Sequence, residues 1–144
     1  MSSGNLLAQE LIERILEVRA ALQANFARKA EKLGLTVAQA TVAQDLASHP
    51  ESSLLDVCTR LGWPKSTVSR LVDELVGRNL ATREVPEANR RTVVLSLDPK
   101  LRKSCLANAL RSYFPGAAGS LDPAEAARIQ AALGRLLVML SPRS

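Results

Sequence analysis

The chain has 144 residues, 47% of them hydrophobic and 23% charged, a length that suits one domain with a core that needs no disulfide or metal staples. No apolar run reaches the ~18 residues of a membrane span, no basic-then-apolar leader opens the chain, and a 3% aromatic share is too small for a base-stacking platform. The net charge of +5 is uneven: residues 60–103 hold ten Lys/Arg against five Asp/Glu, residues 1–59 hold five against seven, and residues 104–144 hold four against two.

The first predicted element covers residues 5–33. Leu7, Leu11, Ile15, Val18, Leu22 and Phe26 recur at steps of four, four, three, four and four, the period of one helix face. Asn5 is the expected cap and Gly34 the expected stop. Some 29 residues of helix extend about 43 Å, more than the ~30 Å width of a small domain, so part of this helix needs a partner subunit. A second helix is expected over 36–48, capped by Thr36 and ended by His49-Pro50, with Val37, Ala40, Val42, Ala43 and Leu46 inward. A third starts at Ser53, with Asp56 at capping-box spacing, packs Leu54, Val57, Cys58 and Leu61, and closes at Gly62.

After the turn Trp63-Pro64-Lys65-Ser66 comes a fourth helix with two distinct sides. Val68, Leu71, Val72, Leu75 and Val76 follow the pattern of a core-facing stripe. Ser66, Ser69, Arg70 and Asp73 fall opposite, with Lys65 and Thr67 flanking the first turn. Short hydroxyls beside a guanidinium suit a helix that reads DNA base edges, and the basic centre of the chain suits a polyanion. Residues 80–85 and 92–97 read as two strands around a turn-rich, basic tip carrying Arg90 and Arg91, hence a β-hairpin. Asp98-Pro99 opens a fifth helix expected to run to about residue 113, and Asp122-Pro123 opens the last one, with Ile129, Leu133, Leu136, Leu137 and Leu140 along it.

Three helices followed by a hairpin with a basic tip form a winged helix-turn-helix. The segments Gly34-Leu-Thr-Val-Ala, Leu61-Gly-Trp-Pro-Lys-Ser-Thr-Val-Ser-Arg-Leu-Val-Asp-Glu-Leu75, Arg78-Asn-Leu80 and Asn89-Arg-Arg91 before Val94-Leu-Ser-Leu97 resemble the MarR family of bacterial transcriptional regulators. The resemblance implies a mainly α fold with a small β-hairpin wing. It also implies a homodimer joined through N- and C-terminal helices (1–33 and 99–144) around a DNA-binding lobe (34–98). By position it assigns Lys65, Ser66, Thr67, Ser69 and Arg70 to the major groove and the wing arginines, Arg91 above all, to the minor groove. Two departures stand out: Asn89 replaces the family's wing aspartate, and Asp98-Pro-Lys-Leu101 replaces a Thr-x-x-Gly continuation.

The expected function is that of a cytoplasmic, sequence-specific double-stranded DNA-binding regulator, a ligand- or signal-responsive repressor on a pseudo-palindromic operator. The alternative is a winged-helix module that binds protein and not DNA. An enzyme lacks its parts: His49 is the one histidine, and no phosphate loop, paired carboxylates or Ser/His/Asp set is present. No metal or cofactor is expected, and Cys58 and Cys105 lack CxxC spacing. Cys58 reads as a small core residue and Cys105 as a candidate redox switch, and the sequence leaves open which of the two, if either, is redox-active. A small-molecule effector is implied by the resemblance. Many relatives bind aromatic carboxylates beside the dimer helices, and this chain has few aromatics for such a pocket.

Overall fold

A computed structural model describes residues 2–86 and 92–143. The elements are α1 (Ser3–Lys32), α2 (Val37–Ser48), α3 (Leu54–Leu61), α4 (Lys65–Gly77), β1 (Ala81–Glu84), β2 (Val94–Leu97), α5 (Pro99–Leu106), α6 (Ala109–Tyr113), a single 3-10 turn (Pro115–Ala117) and α7 (Pro123–Leu140). They group into two compact units, Met1–Asn108 and Ala109–Ser144.

The core of the first unit is made by α2, α3, α4, the hairpin and α5. Leu46, Val42, Val57, Val68, Leu71, Val72 and Leu75 are fully buried in it, and Leu95, Leu97, Leu101 and Cys105 close it from the wing side. The stripe expected on the fourth helix is therefore the buried face of α4, with Val76 half-buried at its end. Val37, expected inward, is exposed instead, because it opens α2 at the first helical position, ahead of the buried turn that starts at Gln39.

Local signals explain most of the boundaries. Thr36 and Gln39 form a reciprocal capping box on α2, and Ser53 and Asp56 form another on α3. Helix α1 starts earlier than expected: Ser2, not Asn5, is the cap, its Oγ accepting from the Asn5 N–H at 3.4 Å. Gly34, at φ 71°, ends α1 with its N–H on Glu31 O and the Leu35 N–H on Ala30 O, the paired bonds of a Schellman stop. Asn79, at φ 59°, repeats this device after α4, where the Asn79 and Leu80 N–H groups bond Val76 O and Leu75 O.

The hairpin pairs Ala81 with Leu97 through to Glu84 with Val94, antiparallel. A third, very short segment joins it: the Leu95 N–H donates to Ser52 O at 2.8 Å, so the α2–α3 corner forms the outer edge of the wing sheet. Residues 87–91, with Asn89, Arg90 and Arg91, lie outside the described residues.

The fifth helix is shorter than expected. It stops at Leu106, Ala107 turns extended, and Asn108 takes a left-handed φ of 56° before α6 begins. A tertiary contact accompanies the break: the buried Lys29 Nζ, from the last turn of α1, donates to Cys105 O at 2.6 Å and Ala107 O at 3.3 Å. Carbonyls at a helix end otherwise lack partners, and a lysine ammonium satisfies them well. Burial pulls the Lys29 pKa below its ordinary value.

Phe26 also packs against the core, but the part of α1 before it is poorly covered. Leu6, Leu7, Leu11, Ile12, Leu16, Val18 and Leu22 are all exposed. In the second unit, Asp122 caps α7 through the Glu125 N–H at 3.0 Å, and no residue of α7 is buried. Ile129, Leu133, Leu137, Val138, Met139 and Leu140 lie open. Both helices carry apolar surface that is not covered within their own units.

Candidate nucleic-acid interface

The outer face of α4 gathers the five recognition-helix residues expected from the sequence. Lys65, Ser66 and Arg70 are exposed, and Thr67 and Ser69 are half-buried at the margin of the core-facing stripe. Pro64 precedes the helix with φ −60° and ψ 147° and offers no capping side chain. Ser66 sits in the first turn rather than at the cap, and no side chain caps the start of α4. A helix N-terminus flanked by a lysine carries positive potential.

Several cations of the basic centre have internal tasks. Arg60 grips Asp45 with Nε and Nη2, at 3.0 and 2.8 Å, and donates from Nη2 to Ser52 Oγ at 2.6 Å. Ser52 Oγ in turn donates to His49 O at 2.6 Å, so this corner locks α2, α3 and the wing edge together. Arg78 donates to Gly34 O at 2.9 Å, and Arg102 reaches Ala47 O at 3.3 Å at the end of α2. Arg83, on β1, pairs with Asp73 of α4 and fixes the wing against the helix. Net charge alone therefore overstates the cations left for a polyanion; Lys65 and Arg70 are the ones on the α4 face.

Arg70 has a partner of its own. Its Nη1 lies 2.8 Å from Glu74 Oε1, and Glu74 Oε2 accepts from Gln39 Nε2 at 3.0 Å. The Gln39 hydrogen bond above all, with Arg70 adding to it, holds the Glu74 carboxyl below its usual range against the opposing effect of burial. This cluster was missed in the sequence, although two signals were present: the Thr-x-x-Gln capping-box spacing at 36–39 and the four-residue step from Arg70 to Glu74.

Other candidates resolve into structural parts. His49 caps the end of α2, with Nδ1 3.1 Å from Asp45 O. Trp63 packs against the core, and Cys58 is buried in it. Cys105 is buried, and burial pushes its thiol pKa up against the opposing pull of Lys29, so thiolate is scarce at neutral pH. Among the described residues no group of three His, Cys, Asp or Glu side chains is placed to hold a metal, and no helix is long and apolar enough to cross a membrane. An open cleft of about 540 Å³ lies between β2 and α5, lined by Leu97, Pro99, Arg102, Lys103, Leu106 and Ala107.

Comparison with known proteins agrees with this architecture. The model of the MarR family matches residues 33–92. A sequence search of curated proteins finds no match. Among solved structures, Staphylococcus aureus MarR in complex with salicylate and kanamycin is 18% identical with a TM-score of 0.72, over 94% of this chain and 95% of that one. Bordetella bronchiseptica BpsR, whose DNA binding is regulated by 6-hydroxynicotinic acid, is 25% identical with a TM-score of 0.65, over 88% and 98%. A point mutant of S. aureus MepR bound to an oligodeoxyribonucleotide is 19% identical with a TM-score of 0.57, over 98% and 100%. Residues 33–92 thus carry the MarR family pattern, and the chain has the fold of that family's winged-helix transcription regulators.

Proposed function

We propose that the chain is a sequence-specific double-stranded DNA-binding regulator that acts as a homodimer in the cytoplasm. The observation that carries this reading is the outer face of α4. Lys65, Ser66, Thr67, Ser69 and Arg70 lie together on a helix whose opposite side is fully buried, so the helix is held firmly and its polar side is presented outward. Ser and Thr hydroxyls and the Arg guanidinium meet base edges, Lys65 and the helix N-terminus meet phosphates, and Arg90 and Arg91 of the wing enter the adjoining minor groove.

Dimerisation is supported by the apolar residues left open on α1 and α7. Segments 1–33 and 99–144 hold two copies together, and 34–98 is the DNA-binding lobe. Two copies related by a two-fold axis present two equivalent recognition helices, which calls for a pseudo-palindromic operator. The small molecules named with the S. aureus and B. bronchiseptica relatives support a repressor released by an effector.

A salt titration with a random-sequence duplex tests the reading against a protein-only interaction module. Phosphate contacts release counterions, so the affinity of a DNA binder falls steeply as salt rises. Micromolar or tighter binding at low salt with a steep logarithmic slope is expected. Absence of duplex binding at about 50 mM salt would refute it.

A further inference from the structure

Arg70 is not a free surface arginine. A chain of donor–acceptor contacts runs to it from the start of α2. The Thr36 N–H donates to Gln39 Oε1 at 3.1 Å, Gln39 Nε2 donates to Glu74 Oε2 at 3.0 Å, and Arg70 Nη1 donates to Glu74 Oε1 at 2.8 Å. Gln39 is only 9% exposed, and its backbone N–H is held by Thr36 Oγ1 at 3.1 Å, so the anchor of the chain is fixed on a different helix from the one it serves. An ordinary pair one turn apart on a helix lacks such an anchor. We propose, on the DNA-binding reading above, that Glu74 and Gln39 are positioning residues that hold the Arg70 guanidinium over the face of α4 and so set the base selectivity of the recognition helix.

Two physical effects follow from the arrangement. A held guanidinium loses less side-chain freedom when it docks on a base, and the surplus appears as affinity for the correct base only. The Glu74 carboxylate also offsets one positive charge beside the phosphates, which weakens binding to every sequence alike. The pair therefore lowers non-specific binding while favouring the specific mode. One of the five guanidinium donors is committed to Glu74, and those that remain suffice for a bidentate contact with a guanine edge. A glutamate carboxyl is already ionised in the neutral range and the Gln39 hydrogen bond moves its pKa further down, so the clamp is present throughout that range.

The test uses the full chain with Glu74→Gln and, separately, Gln39→Glu. The second keeps an acceptor for the α2 capping box but has no amide hydrogen to donate to Glu74. Two readouts are needed: NMR relaxation of Arg70 Nε in the free protein, and anisotropy titrations over a salt series. The titrations use a duplex selected from random DNA by the unsubstituted chain and a scrambled duplex. Both variants should mobilise Arg70. Glu74→Gln should tighten binding to the scrambled duplex, steepen its salt slope by about one, and reduce the ratio of selected to scrambled affinity roughly fivefold or more. An unchanged Arg70 mobility, or an equal change on both duplexes, overturns the positioning role while leaving the DNA-binding reading intact. If the unsubstituted chain binds neither duplex, that reading fails and takes the proposal with it.

Discussion

Replacing Asp45 with alanine removes the carboxylate that receives Arg60 at 3.0, 3.2 and 2.8 Å. The Asp45 side chain is 7% exposed and that of Arg60 29%, so the orphaned guanidinium keeps some water and the Ser52 hydroxyl. Breaking a fully buried pair by removing one partner costs about 3–5 kcal/mol; partial hydration of Arg60 brings the expected loss to about 2–3 kcal/mol. Adding Arg60→Met removes the stranded cation and should recover about 1–2 kcal/mol of that loss. Urea unfolding at fixed protein concentration, followed by the fluorescence of Trp63, the one tryptophan, measures both changes. The same corner pins the wing through the Leu95 N–H on Ser52 O, so amide exchange at Leu95 should accelerate in Asp45→Ala more than at the buried centre of α4. A loss under about 0.5 kcal/mol, or a double variant in which the two losses simply add, would refute the assignment of this pair as the lock between α2, α3 and the wing.

Further expectations follow from other parts of the structure. In sedimentation at micromolar concentration the chain should run at about twice 15.5 kDa, and Leu137→Glu, on the open face of α7, should shift it toward monomer without unfolding residues 34–98. Arg70→Ala should weaken the preferred duplex by about 1–3 kcal/mol and a scrambled one much less; equal weakening of both makes Arg70 a phosphate contact. The Asp56 carboxyl is held below its ordinary value of 3.8 by its backbone and side-chain hydrogen bonds with Ser53. Its contribution is therefore full above that value and lost as pH falls through the lower folded-state value. Asp56→Asn should flatten the pH dependence of the urea midpoint on the acid side of 3.8, and an unchanged profile would count against the capping box.

Elements governed by contacts within a turn were readable in the sequence, and those governed by distant contacts were not. Ser53 with Asp56, Gly62, Asp98-Pro99 and Asp122-Pro123 mark helix ends because their side chains or conformations act on backbone within three residues. The buried stripe of α4 was readable because one period describes it throughout. The early stop of α5 was not: residues 105–110 contain neither glycine nor proline, and the contact at the break comes from Lys29, 76 residues before Cys105. The bridge from Ser52 to Leu95 joins chain segments that no local pattern connects. At the interface, the sequence placed the five α4 residues on one face. It placed Asp73 there too but not its pairing with Arg83, and it left out Gln39 and Glu74, because these roles depend on how α2, α4 and β1 pack. The basic count of residues 60–103 pointed to a polyanion partly for the wrong reason, since Arg60, Arg78 and Arg102 serve the fold.

Selection of bound sequences from a random double-stranded library tests the central claim most directly. A dimer that reads DNA through α4 should enrich an inverted repeat whose half-site centres lie about one helical turn, roughly 10–10.5 base pairs, or a multiple of it, apart. Arg70→Ala should relax the preference at one symmetric pair of positions within that repeat. Enrichment of no sequence, or of a site without two-fold symmetry, would contradict the claim.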